Sequence, residues 1–287
     1  LDLTGIQGSA PLCIAGTEKT PLITTEPQSS DDLRTARGRL LTTAVAGDTQ
    51  LELAARFAEA RGVLTGMTIA VIVSDTPGQS EAVSAGLLET MDDLGYDVQV
   101  HPIGCEGTTS CWVGLEAAVA RMIDDGTTVV FPVLNAVSLP RLITEMLRQG
   151  MPRPAFIQTG LNGQSDVLAA AQVLAYGGAD AAAYYDGAFI VDAADTGTWR
   201  LPRAAEQGFP DPFSQMCNRE HARVTGRPIA DPTDPASAVY ATVADACALV
   251  RIAVRVLRDA GVNPRRSDVN WVLYRLDAVD IPGMLPT

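Results

Sequence analysis

The chain has 287 residues, 47% of them apolar and 19% charged, which suits a protein of two packed lobes and excludes a disordered polymer. A net charge of −13 excludes a phosphate-tracking surface, because nucleic-acid binding draws its affinity from Lys and Arg, so no nucleic-acid partner is expected. No run reaches the roughly 18 consecutive apolar residues that a membrane helix requires.

In chain order, strand patterns fall at PLIT (21–24) and RLLTTAV (39–45), followed by a helix over 48–64 with Asp48 at the N-cap position. TIAVIV (68–73) opens a longer alternation. A helix over 78–95, the strand DVQVHPI (97–103), a helix over 112–126, the strand TTVVFPV (127–133) and a helix over 138–150 follow, three of these helices ending in glycine. AFIQT (155–159) and AAAYYD (181–186) complete the strand patterns. Strands alternating with helices of this length predict an α/β protein with parallel sheets flanked by helices. After residue 187 the rhythm changes: a Gly, Asp and Pro-rich passage leads into a helix over 213–225 and a long one over 236–261. In the latter, Val239, Val243, Ala246, Val250, Val254 and Leu257 track one face, which predicts an amphipathic helix laid on a sheet. Gly66 and DPTDP (231–235) mark crossings, so residues 1–65 and 233–287 are expected in one lobe and 66–232 in the other.

The five cysteines form neither a CxxC motif nor a doubled zinc pattern. Cys105 and Cys111 flank the turn-rich EGTTS, a separation that a loop closes into a small ring, and Cys217 with Cys247 would pin the 213–225 helix to the long one. Both are expected as disulfides, leaving Cys13 free or bonded to a residue of a missing N-terminal part, in an oxidising compartment; buried thiols are the alternative. A zinc reading rests on His101, Cys105 and Cys111, or on Cys217 and His221 four apart on a helix, but neither group supplies four ligands, so no metal is expected. With two histidines, no GxSxG elbow and no P-loop or GxGxxG after a strand, neither catalysis nor a cofactor is expected.

The order TIAVIVSD, a helix ending LGYDV, DDGTTVVF, a helix ending LRQGMP and AFIQTGLNG resembles the second lobe of type I periplasmic solute-binding proteins, the leucine/isoleucine/valine-binding class that serves ABC importers. GIQGSAPLCIAGTEKTPLITTEPQSS is similar to a first-lobe stretch of that family, and PASAVYATVADACALV to its return helix. The resemblance implies a two-lobed architecture and a monomer outside the cytoplasm. It also implies capture of a small polar solute for a membrane permease, without catalysis. A ligand-sensing receptor ectodomain of the same fold is the alternative, and a metal-dependent enzyme a more distant one. The family has further βα units before the position of Leu1 and continues beyond that of Thr287, so the resemblance implies a chain trimmed at both ends, with a lipid anchor in the missing N-terminal part as one possibility.

Ligand contacts are expected from Ser9, Thr25, Glu26 and Ser29 on the first lobe. Asp75, Gln79, Asn135, Thr159 and Asn162 are their counterparts at strand ends on the second, with Tyr240 beside them. Ser9 beside a helix start suits an anion; as an ordinary N-cap it satisfies its own helix. The strand-end loops read equally as solvated turns, and Tyr184, Tyr185 and Tyr240 as core residues. Amino-acid-binding members carry an acid after the strand matching AFIQT, where this chain has Gly160, Leu161 and Asn162. That departure removes a counter-charge for an α-ammonium group, so amides, carboxylates or other small polar compounds are expected before zwitterionic amino acids.

Overall fold

A computed structural model describes residues 10–76, 78–105, 111–135, 137–161, 166–191, 211–232 and 239–276. The chain forms two compact units: a discontinuous one, Leu1–Ala46 with Ala193–Thr287, and one central in sequence, Gly47–Asp192.

The discontinuous unit starts with α1 (Ala10–Leu12), which runs into a π-helical turn (Cys13–Thr17) and then β1 (Leu22–Thr24), α2 (Ser30–Thr35) and β2 (Leu40–Thr42). β1 and β2 pair in parallel, Ile23 opposite Leu41. Arg39 Nε donates to the Ala15 carbonyl at 2.8 Å, tying the π turn to the start of β2.

In the central unit, α3 (Gly47–Ala60) precedes β3 (Ile69–Ser74), and a continuous helical run follows: α4 (Gln79–Ala82), a π segment (Val83–Leu88) and α5 (Glu89–Asp93). Then come β4 (Val98–Ile103), α6 (Leu115–Asp124), β5 (Val129–Val133), α7 (Leu139–Arg148) and β6 (Ala155–Thr159). α8 (Asp166–Gln172), a second π segment (Val173–Gly177), α9 (Gly178–Tyr185) and β7 (Phe189–Val191) complete it. Gly126 and Gly150 follow α6 and α7 in the left-handed region, φ +67° and +70°, where a side chain is disfavoured. Among the described residues the strands form one parallel sheet, ordered β4-β3-β5-β6-β7. Alternation along the strands sends Ile69, Val71, Val73, Val129, Phe131 and Ile157 to a core with α3 and the α4–α5 run. Ala70, Ile72, Val130 and Phe156 face a second core with α6, α7 and α9. Both faces are covered, so the strands read as unbroken apolar runs.

The chain then returns to the discontinuous unit as α10 (Pro212–Thr225), α11 (Val239–Ala260) and α12 (Arg266–Tyr274). These helices share a core of Phe213, Cys217, Leu249, Ile252, Val256, Val272 and Leu273 with Ile23 of β1. Both expected disulfides, Cys105–Cys111 and Cys217–Cys247, are present, and Cys13 is free and exposed.

Three expectations change. AAAYY of AAAYYD is helical, within α9, and Asp186 is its C-cap: the alanines favour a helix, and Ala181, Tyr184 and Tyr185 are buried at helical spacing, while the strand follows at Phe189–Val191. Of the face of α11 expected in the core, Val243 packs against that core and Ala246 is partly buried, but Val239, Val250, Val254 and Leu257 are about half exposed. Tyr240, Ala248, Leu249, Ile252 and Val256 are buried instead. The helix is apolar on more than one face, and its rotation is held by the disulfide at Cys247 and by Asn218 Nδ2 donating to the Tyr240 carbonyl at 3.1 Å. Finally, the units part after Ala46 and after Asp192, not near Gly66 and 232. α3 contributes Leu51, Ala54, Ala55 and Ala58 to the core under β3, and α10 packs with α11.

Candidate functional site

In a parallel sheet of this order the connections leaving β3 and β5 diverge to opposite faces, and the crevice outside their carboxyl ends is where an open α/β sheet takes its ligand. The sequence places Ser74 at the end of β3, Asp75, Thr76 and Gln79 after it and Asn135 after β5, beside one another because β3 and β5 are paired. Thr159 ends β6, the next strand. Adjacent strand ends thus bring four expected contacts, Asp75, Gln79, Asn135 and Thr159, to one edge.

Hydrogen bonds join these loops laterally. Ser74, fully buried, bonds through Oγ to Gln79 Oε1 and lies 3.0 Å from Thr76 Oγ1, so the β3 loop folds back on its own strand end. Asp75 Oδ1 accepts from the Cys105 amide at 2.9 Å, reaching across to the end of β4, while its own amide donates to the Ile103 carbonyl at 2.9 Å. The disulfide carries the connection to Cys111, whose amide donates to Ser138 Oγ at 2.9 Å. Ser138 Oγ in turn donates to Asn135 Oδ1 at 2.8 Å, and the Ser138 amide donates to the same oxygen at 2.9 Å. A continuous chain, Asp75 to Cys105 to Cys111 to Ser138 to Asn135, therefore ties the loops after β3, β4 and β5. Thr159 is buried, its hydroxyl accepting from the Leu161 amide at 3.3 Å.

Ser138 was missed from the sequence, and Ser74, at the mouth of the loop after its strand, was not among the expected contacts. Ser138 had a signal, since Asn135 followed by Ser138, Leu139 and Pro140 is a helix-start pattern. Ser74 had none, because a serine closing an apolar strand gives no sign of which loop side chain it meets.

In the discontinuous unit, Thr25 and Glu26 follow β1 and are half-buried. The loop is held through main chain: the Glu26 amide donates to Thr24 Oγ1 at 3.1 Å, and the Glu26 carbonyl accepts from Thr42 Oγ1 at 2.8 Å. Ser29 Oγ accepts from the Asp32 amide at 3.0 Å and is the N-cap of α2. Tyr240 is buried in α11, and burial, with the nearby Asp211 carboxylate, raises its phenol above the usual range. Ser9 and Asn162 lie outside the described residues. Tyr184 and Tyr185 pack on Phe156, at ring-centroid distances of 6.0 and 5.3 Å, and their hydroxyls reach the Met151 carbonyl and Gln158. They are core residues; burial pushes Tyr184 up to about 12 and Tyr185 higher still.

The cysteines of both suggested zinc groups are consumed in disulfides, which removes the thiolates that a metal would need. His101 is buried within β4 with Nε2 unpaired, and burial lowers its pKa.

No protein-family model matches the chain, and no curated protein matches it in sequence. Solved structures do match in fold. A leucine-binding protein, LivK, from Thermotoga maritima aligns with a TM-score of 0.68 at 12% identity, over 98% of this chain and 70% of that one. A fatty acid ABC transporter substrate-binding protein from Thermomonospora curvata aligns at 0.62 and 14% identity, over 96% and 62%. A solute-binding protein of an ABC transporter from Rhodopseudomonas palustris, in complex with 3,4-dihydroxybenzoic acid, aligns at 0.58 and 12% identity, over 94% and 63%. The chain thus has the type I periplasmic-binding-protein fold that its sequence resembles, and it spans about two thirds of the length of these structures.

Proposed function

We propose that this chain is an extracytoplasmic solute-binding protein that captures a small polar solute and passes it to the permease of an ABC importer, performing no chemistry on it. The observation that carries the reading is the carboxyl edge of the central sheet. Hydroxyl and amide groups on Thr76, Gln79, Asn135 and Thr159 lie along it, beside the topological switch point between β3 and β5, and hydrogen bonds within the two loops fix Thr76, Gln79 and Asn135 before any ligand arrives. A preset polar edge orients a solute at little cost in ordering, which is what binding without turnover requires. The fold likeness supports the reading, and two disulfides fit an oxidising compartment. Thr25, Glu26 and Ser29, with Ser9 and Tyr240, are the contacts proposed from the discontinuous unit. With Gly160 where an acid would face an α-ammonium group, small amides, carboxylates and neutral polar compounds bind ahead of zwitterionic amino acids.

A thermal-shift screen of the protein against a solute library tests this. A ligand at a hundred times its dissociation constant stabilises by about 2.7 kcal/mol, and Asn135→Ala and Gln79→Ala should reduce that shift. If leucine and its analogues give the largest shift, the ligand class is wrong. If no solute shifts the protein, or one is turned over, the binding reading fails.

A further inference from the structure

The central unit carries a second concavity: an open groove of about 670 Å³ whose lining includes Trp112, Val137, Pro140, Arg141 and Tyr176. It is unusual for what it leaves in water. Trp112, Val137 and Tyr176 are 51%, 47% and 75% exposed, although each is large and apolar enough to be expected inside. They come from three separate segments and converge on one groove, and such a concentration marks a surface that meets something else.

The charges say what that is. Glu116 and Glu145 also line the groove, but Arg148 spans both, at 2.9 and 2.6 Å. Gln149 Nε2 donates to Glu145 as well, so both carboxylates are held by donors, with the Arg148 guanidinium offsetting one of their two charges. The Thr144 hydroxyl is occupied by the Pro140 carbonyl at 2.8 Å. Arg141, one helical turn before Glu145 and exposed, makes no ion pair with any described residue. The groove therefore offers aromatic and aliphatic surface beside a guanidinium fork with nothing in it. A guanidinium pairs two-pronged with a carboxylate, and aromatic faces take a flat apolar body. We propose that this groove is a binding site, separate from the strand-end edge, for small organic carboxylates with an aromatic or aliphatic body. The carboxylate sits on Arg141 and the body lies against Trp112 and Tyr176. The volume is within the range of small-molecule sites.

Phenylacetate and phenylacetamide, alike in shape and different in charge, make the test. In a Trp199→Phe/Trp271→Phe variant the remaining tryptophan is Trp112, and its emission should change saturably with phenylacetate. Phenylacetamide and Arg141→Gln should each weaken that response by about tenfold or more, as expected for loss of a charge-assisted pair, and Arg141→Lys by less. If the double variant does not fold, the indole N–H resonance of Trp112 in the otherwise unchanged protein, identified by its loss in Trp112→Phe, gives the same titration. A response that does not saturate, that is equal for acid and amide, or that survives Arg141→Gln overturns the site. A response to acidic peptides but not to phenylacetate also overturns it, in favour of a protein partner.

Discussion

The two units keep their shape by different means. The central unit covers both faces of a five-stranded sheet and buries two extensive apolar clusters, so its fold is over-determined by packing. The discontinuous unit has, among its described residues, a two-stranded sheet, a helical cluster and a small separate patch around Ala15, Leu22, Ala36 and Leu40. There a covalent bond between α10 and α11 supplements a thin core. In the central unit the disulfide has another place, at the strand-end edge, where it links loops that the sheet has already positioned. The same bond type thus holds a fold together in one unit and ties strand-end loops in the other.

Removing each disulfide breaks this contrast most directly. Cys217→Ala/Cys247→Ala opens a loop of 30 residues and should cost about 3.6 kcal/mol by loop entropy. The loss should fall on α10–α12, read as faster amide exchange in those helices with little change in the central sheet. Gly86→Ala strikes the other unit: a Cβ there would stand 2.1 Å from the Asp48 carbonyl, so α3 must move off the π segment between α4 and α5. A cost of about 3 kcal/mol is expected, against about 1 kcal/mol for Gly126→Ala, which has open space and only an unfavourable φ. Denaturant midpoints of the two variants check the difference, and equal losses would mean that α3 packs more loosely than described. Cys105→Ala/Cys111→Ala closes only six residues and should cost about 2.2 kcal/mol. Its larger consequence is faster exchange at the amide of position 105 and at those of Ser138 and Leu139.

The smallest effect concerns pH. His101 is buried in β4 facing Arg121, which disfavours its charged form, and Asp125, which favours it; burial dominates and the folded pKa lies below the usual 6.5. The unfolded chain therefore binds more protons in that window, so stability rises with pH. The contribution is complete above about 6.5 and is lost as pH falls toward the folded value. Urea midpoints measured from pH 5 to 8 should show this slope, and His101→Leu should flatten it.

Much of the central sheet was legible because its strands are short β-branched runs separated by helices with glycine stops. Periodicity of that kind survives whatever tertiary context surrounds it. AAAYYD failed as a strand because a short alanine and tyrosine run carries no period that separates strand from helix, and alanine propensity decided it. Asp75, Gln79 and Asn135 were legible as strand-end polar residues, but their partners were not. Asp75 bonds to an amide 30 positions away, and that proximity exists only once β3 and β4 are side by side.

By itself the sequence determined the α/β alternation and the set of polar residues at strand ends, since each depends on local pattern, and it made both disulfide pairs an expectation that the structure bears out. Only the tertiary structure decided which face of α11 is buried, to which unit α3 and α10 belong, and which side chains join Asp75 to Asn135. These are choices between arrangements that the local pattern makes nearly equal. α11 offers more than one apolar face, and long-range contacts such as the Cys217–Cys247 bond and the Asn218 hydrogen bond select one of them.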